Sequence, residues 1–496
     1  MVTLNANPSS MPSKKTDTPT PSAKTNRRDF LKTGALTALI MGTGLPLAHG
    51  RSAGWGARLQ RVEPGSAKNV IVMVSDGMST GTLNMADLAL RRFYGRPSNW
   101  MELYRTNKVR RSLMDMASAD HIVTDSSAAS SSWGCGRRIN NGGVNWGPNA
   151  EQYKPILPIF RDAGKATGLV TTTEITHATP AGFVANVEGR WAAERIAEQY
   201  LEREVDVLLG GGNGHYHAER RSDGRDLYAD YRQAGYQVAR SKDELNAVQS
   251  SEGRLLGVFA NGHLPYTLDQ NASMELRARV PTLADLTRVA LERLDGHNNG
   301  FILQIEGGRV DHAAHGNDIG GIIHDQIAFD NAIGAVLEFT EIRDDTLVII
   351  TTDHGNANPG LNGGPDHMFD RIQRFTQTGS WIGSQLDNQS SISTIKDAFH
   401  VATRLEITDA QARFYQKARQ GEHQAPYTHL AHSTSVLGHI IAEHTNVNFT
   451  GRSHTADYVE LAAYGPGSEA IDGFVANTEL FDLMVSAAGV GAFTEW

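Results

Sequence analysis

Five short runs constrain the fold of this chain more than anything else in it. Residues 69–75, 167–173, 205–209, 301–305 and 346–351 are nearly continuous stretches of aliphatic and β-branched side chains, with no alternation of polar and apolar positions. A strand of that kind must be covered on both faces. Between the runs lie segments 84–93, 192–203, 283–294 and 319–338, where apolar residues recur three and four apart, the pattern of a helix with one buried stripe. Strand and helix in repetition predict an α/β fold, a three-layer sandwich with a large, mostly parallel central sheet between helices. Such a sheet collects ligands beyond the carboxyl ends of its strands. Asp76, Glu306 and Asp353 all fall there, one or two residues past an apolar run.

These acids belong to a wider set. In chain order the motifs are VIVMVSDG (Asp76), VTDSSAAS (Asp125, Ser126), THATPAG (His177, Thr179), ILQIEGGRVDHAAH (Glu306, Asp311, His315), VIITTDHG (Asp353, His354) and SHTAD (His454). Carboxylates and imidazoles in that mixture are what a cluster of divalent metals requires. One buried Asp or His would read as a hydrogen-bonded core group. Eight such residues at strand ends need the compensation a metal supplies. Asp311 and His315 are four apart, so a helical turn presents them on one side. Ser126 is a candidate nucleophile. It opens an expected helix, SSAASSSWGCG, whose free N–H groups and positive dipole end favour an alkoxide and a bound phosphate. Ser127 competes with it, and N-capping is the ordinary role for either serine.

The six motifs, in this order and with these internal spacings, resemble the alkaline phosphatase family, as does the tail AYGPGSEAIDGFVANTELFDLM. The resemblance covers most of the chain beyond residue 50. It implies a metal-dependent hydrolase that releases alcohol and inorganic phosphate from phosphate monoesters through a covalent phosphoserine. Thr124-Asp125-Ser126 matches the family pattern and favours Ser126 over Ser127. Arg190, thirteen residues after His177, matches the phosphate-binding arginine, whose fork can hold two non-bridging oxygens. By the same resemblance Asp311, His315 and His454 hold one zinc; Asp76, Asp353 and His354 hold a second, completed by Ser126. Asp76, Thr179 and Glu306 hold a third ion, usually magnesium. The chemistry agrees, since the two histidine-containing sets suit zinc and the oxygen-only set suits magnesium. His177 stands where some bacterial members carry aspartate, and His312 where some carry lysine. Both, with Asp125, are expected just behind the ligands, and His177 leaves the third ion's identity open. Family members are often dimers, so a homodimer is compatible with the resemblance. The alternative is a phosphodiesterase or sulfatase of the same metal type. Arg190 argues for monoesters, because it needs two free terminal oxygens. A protein that merely bound phosphate or metal would have no use for Ser126.

The rest of the chain narrows these readings. A net charge of −9 over 496 residues disfavours a nucleic-acid partner. Residues 1–50 are a disordered lead rich in Ser, Thr, Pro and Lys, then Arg27-Arg28 before a short apolar run at 33–48. That arrangement predicts a twin-arginine signal peptide and a periplasmic or secreted protein. The run is too short and glycine-rich to serve as a membrane anchor. Cys135 is the single cysteine and has no internal disulfide partner. The catalytic domain is expected over 51–496. Residues 356–432, with Gly-Gly-Pro and many Gln and Ser, read as an insertion over the active-site face. A strand at 458–464 and a helix at 478–487 follow. His215, His217, His429, His432, His439 and His444 read as surface or core residues.

Overall fold

The non-alternating runs form the centre of a ten-stranded sheet. The computed structural model describes residues 62–248, 252–422 and 428–491, all within one compact unit, Gly56–Trp496. The expected signal at 1–50 lies outside the described residues. Across the sheet the strands are Phe474–Ala476, Arg110–Asp115, Val459–Tyr464, Thr346–Thr351, Asn69–Val74, Phe301–Glu306, Ala166–Glu174, Val207–Gly211, Leu255–Val258 and Gln237–Ala239. Among these, Val459–Tyr464 alone runs against the rest, antiparallel to both neighbours. Asn69–Val74 sits at the middle, paired in parallel with Phe301–Glu306 on one side and Thr346–Thr351 on the other. This register brings the ends that carry Asp76, Glu306 and Asp353 together.

The absence of alternation has the expected cause. Val70, Val72 and Val74 face one layer, where they pack with Trp133, Phe160 and Leu480. Ile71 and Met73, between them in sequence, face the other layer with Trp100, Phe329 and Ile333. Each fully buried aliphatic side chain of this kind stabilises the fold by about 1.5–3 kcal/mol. The helices predicted from periodicity appear as Thr80–Tyr94, Ala193–Glu202, Leu283–Asp295 and Ile319–Thr340. The strands without a clear sequence signal are short or peripheral. Arg110–Asp115, next to the sheet edge, is half exposed, and Gln237–Ala239 has three residues at the opposite edge.

Residues 356–432 contribute to a third core. Phe369, Ile372, Phe399 and Tyr415 pack with Val436 and Ile440 against Ala313, Ala314 and Ile322. The segment therefore stands behind the helix Arg309–His315, which carries Asp311 and His315. Among the described residues no helix is long and apolar enough to cross a membrane.

Candidate active site and metal centre

The acidic residues Asp76, Glu306 and Asp353 lie at or just past strand ends, whereas Ser126 and Arg190 reach the site from longer connections. Glu306 ends its strand, and Asp76 and Asp353 follow theirs by two residues. Gly77 turns the chain with φ 67°, and its N–H donates to Asp353 Oδ1 at 2.9 Å. The His354 N–H donates to the same oxygen at 3.1 Å. One oxygen of Asp353 is thus held by backbone, while Oδ2 has no hydrogen-bond partner and lies 3.2 Å from His354 Nε2. The same nitrogen is 3.7 Å from Asp76 Oδ1 and 3.2 Å from Ser126 Oγ.

A second cluster forms around the short strand His454–Thr455, which pairs with Gly355–Asn356. His315 Nε2 and His454 Nε2 are 3.1 Å apart. They lie 3.4 and 3.7 Å from the two oxygens of Asp311. Tautomers explain what this means. The Nδ1–H of His315 donates to the Arg452 carbonyl at 2.6 Å, and that of His454 to the Thr124 carbonyl at 2.9 Å. Both Nε2 lone pairs therefore face each other, an arrangement that is repulsive unless a cation lies between them. Zinc bonds of about 2.0–2.1 Å in a tetrahedron space their ligand atoms by roughly 3.3 Å, close to these separations. The rings of His354 and His454 stack at 3.5 Å between centroids, joining the two clusters.

At a third cluster the unpartnered buried atoms are both oxygens of Asp76, Thr179 Oγ1, Glu306 Oε1 and His177 Nδ1. Glu306 Oε2 is already held by Thr171 Oγ1 at 2.5 Å and Thr173 Oγ1 at 3.3 Å. His177 Nδ1 lies 4.0 Å from Glu306 Oε1, and Asp76, His177 and Glu306 form a group able to hold a metal ion. Burial pushes Glu306 up to about 7 and Asp353 up to about 6. Asp76 rises well above the usual carboxylate range, through burial and then the charges of Asp353, Asp311 and Glu306. Buried like charges left without partners are what bound cations relieve. The donor sets thus fit divalent metals: Asp311, His315 and His454; Asp76, Asp353 and His354; and Asp76, His177 and Glu306.

Ser126 begins the helix Ser126–Cys135, and Asp125 is its N-cap, accepting from Ala128 N at 2.9 Å. The neighbouring serines differ. Ser127 Oγ is 2.9 and 2.8 Å from the two oxygens of Asp125 and is spent there, whereas Ser126 Oγ faces His354. Asp125 also accepts from Gly142 N at 3.0 Å and from Arg190 Nη1 at 2.9 Å. Burial alone would raise its pKa; the Arg190 charge and the Ala128, Ser127 and Arg190 hydrogen bonds instead hold it below the ordinary range.

Several participants were not singled out from the sequence. Asn356 Nδ2 donates to Asp311 Oδ1 at 2.7 Å. Arg309 donates to His312 Nδ1 at 2.8 Å while its guanidinium lies 3.6 Å from the Tyr266 ring centroid. His263 stands 4.4 Å from His312 and 5.6 Å from His177, centroid to centroid. Burial and then Arg309 push His263 down to about 4. His263 lies five residues past the strand Leu255–Val258, beyond the one- or two-residue spacing that marked Asp76. His215, read as a surface or core residue, pairs with Glu174 at 3.0 Å beside the same pocket.

The sequence model of the family described as alkaline phosphatase matches residues 67–490. The chain is 30% identical over 453 residues to alkaline phosphatase 4 of Bacillus subtilis (strain 168), covering 88% of this chain and 94% of that protein. It is 29% identical over 403 residues to the alkaline phosphatase of Escherichia coli (strain K12), covering 70% of this chain and 85% of that one. Among solved structures, that of Thermus thermophilus alkaline phosphatase superimposes with a TM-score of 0.82 at 34% identity, over 91% of this chain and 97% of that chain.

Proposed function

This chain belongs to the alkaline phosphatase family of phosphomonoester hydrolases, and on that premise we propose that it cleaves small phosphate monoesters through a covalent phosphoserine at Ser126. The observation that carries the reading is the Ser126 hydroxyl, buried 3.2 Å from His354 Nε2 among unpartnered metal-ligand atoms. Zinc in the Asp311, His315 and His454 set and in the Asp76, Asp353 and His354 set would supply Lewis acidity, acidifying a coordinated O–H and drawing charge from the leaving oxygen. Magnesium or zinc would fill the third set, according to whether His177 serves as a ligand there.

The chain's own groups do the rest. Ser126 attacks phosphorus in line from the start of its helix, where free N–H groups stabilise negative oxygen. Arg190, braced by Asp125, grips two non-bridging oxygens of the phosphoryl group. His312 accepts from Arg309 at Nδ1 and so carries its proton on Nε2, available to the substrate or a bridging water. Residues 1–50 are proposed to direct twin-arginine export to the periplasm or medium. Replacing Arg27 and Arg28 together by Lys should retain the protein inside the cell.

Trapping with labelled phosphate at low pH tests the chemistry. Wild type and Ser127→Ala should yield phosphoserine and retain turnover, whereas Ser126→Ala should lose both. Label on Ser127, or undiminished turnover by Ser126→Ala, would reject the assignment. A preference for nitrophenyl phosphodiester over the monoester would favour the diesterase alternative.

A further inference from the structure

The pocket that reaches Ser126 is larger than a phosphoryl group needs. It encloses about 550 Å3 and extends from Ser126, Arg190 and His454 to Trp191, Glu174 and His215. Volumes of this size accept whole small molecules. The alcohol portion of a substrate must occupy the part that the phosphoryl group leaves free.

Trp191 is the conspicuous member of that part. It is 83% exposed, whereas Trp100 and Trp133 are fully buried. Its exposure is not that of a loose loop. Arg190 N donates to the Gly142 carbonyl at 2.8 Å, and Ala192 N closes a turn on the Gly189 carbonyl at 3.0 Å. The Arg190 guanidinium lies 5.2 Å from the Trp191 ring centroid while Asp125 holds its Nη1. The backbone that carries Trp191 is thus fixed beside the proposed phosphate fork, and much of the indole's apolar surface is open to water. An exposed indole is a large apolar area left wet, and it gains most by stacking a planar group. Elsewhere in the pocket, His215 Nε2 lies 3.0 Å from Glu174 Oε2. Both side chains are about one-quarter exposed, and the second carboxylate oxygen remains to accept from a ligand hydroxyl.

Resting on the reading of Ser126 and Arg190 as the phosphate site, we propose that Trp191 is the stacking platform of a leaving-group subsite, with Glu174 and His215 as its polar end. The subsite favours monoesters whose alcohol carries a planar aromatic group and hydroxyls, the chemistry of a nucleoside 5′-monophosphate, over those of small aliphatic alcohols.

The test compares adenosine 5′-monophosphate with glycerol 2-phosphate on the metal-loaded protein. Both leave as aliphatic alcohols, so the ratio of their responses isolates contacts to the alcohol. Trp191→Ala should lower kcat/KM on the nucleotide about tenfold, mainly through KM, within the range for stacking on an aromatic side chain. Glycerol 2-phosphate should change by less than about twofold, because surface truncation alone has little effect. Trp191→Phe should recover most of the nucleotide activity. Glu174→Ala should lower nucleotide kcat/KM about threefold, the effect of one hydrogen bond. Adenosine, which lacks phosphate, should inhibit wild type competitively and Trp191→Ala about tenfold more weakly. Equal losses on both substrates would make Trp191 only a prop for Arg190, and no loss on the nucleotide would remove the platform; either overturns the proposal. Wild-type protein that hydrolyses neither substrate would instead overturn the phosphomonoesterase reading, and the subsite with it.

Discussion

Asp125 combines a helix cap and an arginine brace in one carboxylate, so its replacement has effects that can be worked out. Truncation to alanine removes the cap on the helix that starts at Ser126, which costs about 1 kcal/mol. It also removes a charge-assisted bond to Arg190, for which about 1.5–3 kcal/mol is typical. Neither partner is strongly exposed, at 19% and 11%, so solvent screening reduces this only in part. Asp125→Ala should therefore destabilise the protein by about 3 kcal/mol. Asp125→Asn keeps an oxygen for the cap but loses the charge, and should cost about half as much. Freed from its brace, Arg190 should bind inorganic phosphate about tenfold more weakly. Denaturant unfolding of the metal-loaded protein, combined with Arg190→Ala in a double-mutant cycle, measures the shared term, expected at about 1–2 kcal/mol. Strict additivity of the two single changes, or a loss below about 1 kcal/mol for Asp125→Ala, would refute the reasoning. The pH dependence has a definite sign. The Asp125 pKa is depressed in the fold, so its stabilisation is present above the unfolded value near 3.8 and disappears as pH falls through the lower folded value.

Two other substitutions probe different parts. His177→Asp replaces an imidazole by a carboxylate at the third cluster, so the magnesium content of the purified protein should rise, with apparent affinity up about tenfold; an unchanged zinc-to-magnesium ratio would count against His177 as a ligand there. Asp325 is fully buried and pushed up to about 7 by burial, despite accepting from Thr267. Its ionisation therefore costs stability progressively as pH rises from about 4 to 7. Melting curves should show Asp325→Asn gaining on wild type across that window and levelling off above it; a difference that does not vary with pH would contradict this.

Metal chemistry and fold were legible in the sequence to different depths. Asp76 and Asp353 could be placed because a strand without alternation must be buried on both faces, and the residue after such a strand emerges where ligands bind. Glu306 needed only its position at the end of Phe301–Glu306. Asn356 and Arg309 gave no comparable signal. Asn356 works through Asp311, 45 residues away in sequence, and Arg309 through His312 on its own helix and the Tyr266 ring; an amide or guanidinium in or beside a motif is usually a surface group. Arg110–Asp115 and Phe474–Ala476 were similarly silent, because a strand at or next to a sheet edge needs less apolar sequence.

The chain by itself determined the layered α/β architecture and the inventory of oxygen and nitrogen ligands, because hydrophobic periodicity and strand-end position are local properties. Tertiary structure alone decided how that inventory is used. It brought His454 against His315 with both Nδ1 protons committed to carbonyl oxygens. It engaged Ser127 with Asp125 while leaving Ser126 beside His354. It also set Trp191 and the Glu174–His215 pair in the lining of one pocket. Which lone pair is free, and which hydroxyl is already taken, depends on atoms that approach within about 3 Å across long stretches of chain, and no local pattern encodes those approaches.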